Sequence, residues 1–138
     1  MIIKNQVEAT KKIQLLLQMH GTETTVTKVK KKNNDQYHFE LIEHEGYQAH
    51  HVKFSKLPFK KLAKFYPNVT SEGDSINAEY LFGLISTDWI YFVQPSIIYR
   101  VKVLDVKQEA LTRLTSQEET TYSFPFNKMK VFWKDEVN

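Results

Sequence analysis

The chain contains no cysteine among its 138 residues. That excludes disulfides, thiol catalysis and zinc–thiolate sites, and fits a reducing, cytoplasmic setting. Glycine is scarce, at four residues, and neither a Gly-rich phosphate loop nor a Gly-x-Ser-x-Gly elbow is present. No apolar run reaches the roughly 18 residues a membrane span requires. The longest candidate, Tyr80 to Val93, is broken by Gly83, Ser86, Thr87 and Asp88. The first residues carry no apolar stretch with a small-residue cleavage site, so no secretory signal is expected. Repeats, low-complexity tracts and linkers are also missing, and residues 1–138 are expected to form a single domain with an ordinary core.

What is present is apolar, aromatic and unevenly charged. Hydrophobic residues make up 41% and aromatics 13% of the chain, enough apolar surface to offset chain entropy. The net charge is +3, but residues 1–64 hold twelve Lys/Arg against six Asp/Glu, whereas residues 65–138 hold seven against ten. A basic half points to a polyanion-facing side, with ordinary surface scatter as the alternative. Two lysine groups stand out: Lys28, Lys30, Lys31 and Lys32 before a turn, and Lys56, Lys60, Lys61 and Lys64 on or beside an expected second helix. They are candidate phosphate contacts, or a surface for an acidic protein partner.

Hydrophobic periodicity predicts the elements. Ala9, Ile13, Leu16 and Leu17 share one face of a helix over residues 5–19, with Asn5 as N-cap, Glu8 three residues on and Gly21 as the stop. Strands are expected at 24–31, 37–42 and 47–54, with turns at Asn33-Asn34-Asp35 and Glu45-Gly46. A helix is expected from Ser55 to about Phe65, ending before Pro67. Strands at 78–85, 89–93 and 97–104, a short helix over 106–114 and an extended aromatic tail from Tyr122 to Trp133 complete the reading.

Two short segments carry the chemistry: Tyr37-His38-Phe39 and His51-Val52-Lys53, on adjacent strands thirteen residues apart from His38 to His51. His50 and His51 are consecutive on a strand and so face opposite ways; a polar, partly exposed sheet face is the simplest account of His38, His44, His50 and His51, against a metal cluster. Glu40, Glu43 and Glu45 cluster near a turn without suggesting an acid/base pair.

With these segments, the element order over residues 5–93 resembles the α-β-β-β-α-β core of the PD-(D/E)xK, restriction-endonuclease-like superfamily. The resemblance implies an α/β (α+β) fold with a mixed central sheet and added C-terminal strands. It also implies a nuclease-type site in which Glu8 matches the first-helix acid, His38 and His51 stand where acids belong, and Lys53 is retained. If the site were active, Glu8, His38 and His51 would hold a divalent metal and Lys53 would orient water for phosphodiester hydrolysis. Imidazole suits Zn²⁺, Mn²⁺ or Fe²⁺ rather than Mg²⁺, and two lost carboxylates point to lost catalysis. The functional expectation is a nucleic-acid-associated protein of phage or mobile-element type, with DNA the more expected partner than RNA. The alternative is a protein-interaction module or inhibitor without a nucleic-acid role. The aromatic tail, with Tyr122, Phe124, Phe126, Phe132 and Trp133, is expected to pack in the core or a homodimer rather than to stack on bases.

Overall fold

The computed structural model describes residues 2–30, 37–46, 48–56, 62–66, 75–77, 83–109, 111–114 and 120–135. The chain opens with helix α1 (Gln6–Met19). Asn5 caps it, its side chain accepting from the Glu8 N–H at 2.8 Å, while its amide donates to Glu8 Oε2 at 3.3 Å. The helix ends in a Schellman motif. Gly21 adopts φ 93°, and the N–H groups of Gly21 and Thr22 return to the carbonyls of Gln18 and Leu17.

Strands β1 (Thr24–Lys30), β2 (Tyr37–Glu43) and β3 (Ala49–Phe54) follow as an antiparallel meander. The chain then leaves this sheet to form β4 (Leu62–Tyr66) and β5 (Ser75–Asn77) and returns as β6 (Trp89–Gln94), which pairs parallel to β3. β7 (Ile97–Lys102) turns back on β6 and leads into helix α2 (Val103–Glu109), then β8 (Leu111–Leu114) and β9 (Thr120–Pro125). A single 3₁₀ turn (Phe126–Lys128) delivers the chain to β10 (Lys130–Lys134). The result is a mixed six-stranded sheet, ordered β1-β2-β3-β6-β7-β10, and a four-stranded sheet, ordered β5-β4-β9-β8.

The fold is therefore mixed α+β with a mixed central sheet, as expected. Two expected helices differ from the elements observed. Residues Leu62–Tyr66 form a strand, not the end of a helix, because they pair with both β5 and the aromatic β9; long-range pairing overrides the local pattern. Likewise Leu111–Leu114 pairs with β9, and the helix lies earlier, at Val103–Glu109, where Val103 and Val106 are buried at a spacing of one turn. Of the strand expected over 78–85, residues 78–82 lie outside the described residues; Gly83 is helical and the chain bends and turns from Leu84 to Asp88.

Two cores sandwich the large sheet. On one face α1 packs Ala9, Ile13 and Leu17 against Leu41, Val52, Tyr91, Val93 and Ile98. On the other, α2 and the aromatic segment bury Ile90, Phe92, Val101, Val103, Val106, Phe124 and Met129. Strand alternation thus sends neighbouring residues of β3 into different environments.

Candidate functional site

β3 is the strand that matters, because it lies inside the sheet between β2 and β6 and carries two consecutive histidines. Both are buried, His50 at 3% and His51 at 4% exposure, so the expected partly exposed polar face is corrected. Buried imidazoles need partners, and each has its own set.

His51 faces away from α1, since its neighbour Val52 packs with α1. Its partner opposite in the β2–β3 register is Glu40, whose Oε2 lies 3.4 Å from Nδ1. On the other side Nε2 meets Asp88 Oδ2 at 2.9 Å. Asp88, 2% exposed, also accepts the Ala49 N–H at 3.0 Å through Oδ1. A turn just before β6 places Asp88: its N–H donates to the Ile85 carbonyl, and its own carbonyl accepts from Val103. The Thr27 hydroxyl donates to Glu40 Oε1 at 3.3 Å, extending the network to β1.

His50 faces α1. Its Nε2 is 2.6 Å from Glu43 Oε2 and its Nδ1 is 2.9 Å from the Tyr91 hydroxyl. Gly46 permits this arrangement, because a Cβ there would overlap Glu43 Oε1. Burial lowers the His50 pKa, against the pull of Glu43, and burial raises that of Tyr91 to about 12, opposed by its hydrogen bond to Arg100. A neutral ring assigns every proton in one direction: Arg100 donates to the Tyr91 oxygen, the Tyr91 hydroxyl to Nδ1, and Nε2–H to Glu43. Arg100 is itself held 4.5 Å from the Trp89 ring and 4.7 Å from that of Phe132.

These shifts set the pH dependence of stability. As pH falls below about 6.5, the unfolded chain takes up a proton that His50 still refuses when folded, so stability drops until the folded ring also protonates. Between pH 10 and about 12 the unfolded chain loses the tyrosine proton that folded Tyr91 keeps. Stability falls there as pH rises, by about 3 kcal/mol. Urea unfolding across the pH range should show both limbs, and Tyr91→Phe should abolish the alkaline one.

The expected site residues scatter. His51 and Lys53 are two apart on β3 and so share a side of the sheet, with Lys53 opposite Phe92 of β6. His38 is on β2 opposite Val29, and the residue facing His51 from β2 is Glu40. Glu8 lies in the first turn of α1, where its N–H and Oε2 bond to Asn5. Lys28 and Lys30 lie on β1, at the edge of the sheet, and Lys56 is exposed. Lys64 lies on β4 rather than on a helical face. Lys31, Lys32, Lys60 and Lys61 lie outside the described residues. His44 is on the surface, bonded to the Thr25 hydroxyl at 2.7 Å. Phe132 and Trp133 of the tail pack against the α1-side core.

A divalent metal does not fit these residues. The donor atoms of Glu40, His51 and Asp88 face one another rather than a common point, and among the described residues no group of three or more His, Asp or Glu is set to hold an ion. Sequence reasoning missed Asp88, Tyr91 and Arg100. Asp88 read as an ordinary turn residue, and nothing local revealed that β6 would bring it beside β3. No helix among the described residues is long and apolar enough to cross a membrane. No family model, no curated protein and no solved structure matches the chain.

Proposed function

We propose that this chain is a nucleic-acid-binding protein on a nuclease-like sheet, in which a buried histidine–carboxylate network stands where a metal site would be. The observation that carries this reading is His51. It occupies the acid position two residues before Lys53, and both its ring nitrogens face carboxylates. An imidazole so engaged turns neither nitrogen toward an open position where a cation would sit. The topology supports the reading as well. An α-β-β-β-α-β order requires a meander followed by a strand parallel to the third, since a crossover returns the chain in the same direction. The β1-β2-β3 meander with parallel β6 matches the strand part of that order; in place of the second helix the crossover carries β4 and β5.

In this reading Lys53 and the β1 lysines Lys28 and Lys30 contact phosphates, and no hydrolysis follows. The C-terminal strand is not assigned a dimer contact. β10 is an edge strand, but Lys130 and Lys134 at its ends and the bulge between Val131 and Trp133 discourage pairing with another edge.

The test is binding and cleavage of labelled duplex DNA, single-stranded DNA and RNA over a salt series, with Mg²⁺, Mn²⁺, Zn²⁺ or chelator. Binding should weaken steeply with salt, and Lys53→Ala should reduce the log–log slope by about 1. No metal should elicit cleavage. Metal-dependent cleavage lost in Lys53→Ala would restore the enzyme reading. No binding at any salt would leave the protein-interaction module, to be pursued by pull-down.

A further inference from the structure

On the α1 side of the sheet, away from His51 and Lys53, a pocket of about 390 Å³ opens between the end of α1, the β2–β3 hairpin and β10. Its volume lies in the range of small-molecule sites. Trp89, Phe132, Arg100, Lys130, His50 and Glu43 line it. Arg100 and Lys130 sit directly opposite each other across β7 and β10. Like charges in that position destabilise a sheet. Lys102, two residues from Arg100, adds a third cation, its Nζ 4.9 Å from the Trp89 ring. The one acid among the lining residues, Glu43, is bound to the neutral His50 at 2.6 Å, and its single charge leaves Arg100, Lys130 and Lys102 in excess.

Arg100 is also fixed in advance. The rings of Trp89 and Phe132 hold its guanidinium, it bonds to Tyr91, and the Trp89 indole is itself oriented by Gln48 at 3.4 Å. A guanidinium ordered before binding loses little entropy when it takes a ligand, and its fork suits an oxyanion. Facing cations with no acid between them are what such an anion would relieve. A monoanionic carboxylate would leave one of the two opposed cations unmatched. A phosphate monoester carries about −1.5 to −2 at pH 7, and the flanking rings suit a flat apolar body.

We infer that this pocket binds a phosphate monoester, with Arg100 and Lys130 on the phosphate and Trp89 and Phe132 against the group that bears it. The phosphate can belong to a free nucleotide or to the 5′ end of a strand. The site is separate from the Lys53 contact proposed above, because it lies on the opposite face of the sheet from Lys53.

The experiment is calorimetric titration of the full chain with adenosine monophosphate, adenosine, and one oligonucleotide with a 5′-phosphate or a 5′-hydroxyl. The phosphate-bearing probe should bind and its dephosphorylated counterpart should not; whichever pair shows this identifies the source. Lys130→Gln, at an exposed position, should weaken binding about tenfold, the size of one charge-assisted hydrogen bond. Lys130→Arg should restore it. Arg100→Gln should abolish binding where its urea midpoint shows it folded. Equal affinity for phosphorylated and dephosphorylated probes, no binding of either phosphate at about 1 mM, or unchanged affinity in Lys130→Gln would each overturn the assignment.

Discussion

Replacing Asp88 by alanine should lower the stability of the protein by about 2–6 kcal/mol, about 1–3 kcal/mol for each of the two hydrogen-bonding groups left without its partner. The side chain is 2% exposed and serves two groups at once, the Ala49 N–H and His51 Nε2. Its loss strands the Ala49 N–H and His51 Nε2 together. Asp88→Asn keeps an oxygen for Ala49 and should cost less, about 1–3 kcal/mol. Denaturant unfolding of the three proteins checks this. A shift under about 1 kcal/mol for Asp88→Ala, the range of exposed ion pairs, would mean that the network is open to solvent.

The second large effect is expected at Tyr91. Its ring is fully buried in the α1-side core, packed edge-on against Phe132 at 5.2 Å. Its hydroxyl joins His50 to Arg100. Tyr91→Ala removes both functions and should cost about 3–5 kcal/mol, the usual range for a large aromatic in a core. Tyr91→Phe keeps the ring and removes the link, which should cost about 1–3 kcal/mol for the acceptor and donor left behind. Near-equal losses in the two variants would show that the hydroxyl, not the packing, dominates. A neutral Tyr91→Phe would show that water replaces the link.

Local signals carried much of this structure. The α1 cap at Asn5, the glycine stop at Gly21 and the β1–β3 alternation all depend on neighbours within a few residues, and each lies where the sequence placed it. The opposite facing of His50 and His51 follows from strand geometry alone. What failed was long-range. Leu62–Tyr66 looks helical until β9, about sixty residues later, supplies a pairing partner. The resemblance puts His38 at the acid position of β2, whereas the register of the hairpin sets Glu40 opposite His51. Asp88 reaches His51 only because β6 runs parallel to β3. Arg100 and Lys130 meet through β7 and β10, a pairing that no spacing in the sequence announces.

The order in which the chain visits its two sheets bears on how the molecule comes apart. It leaves the six-stranded sheet after β3 for β4 and β5, returns for β6 and β7, leaves again for β8 and β9, and returns once more as β10. Neither sheet is a continuous stretch of sequence, so no single cut divides the chain into halves that each keep a sheet. The central β3–β6 contact closes a long excursion before it gains any pairing, a topology that folds slowly. Unfolding should therefore occur as one cooperative transition rather than sheet by sheet. A protease nick in the β3–β6 crossover would turn that closure into an association of two fragments, with the α1-side core divided between them and the α2-side core left wholly on the second.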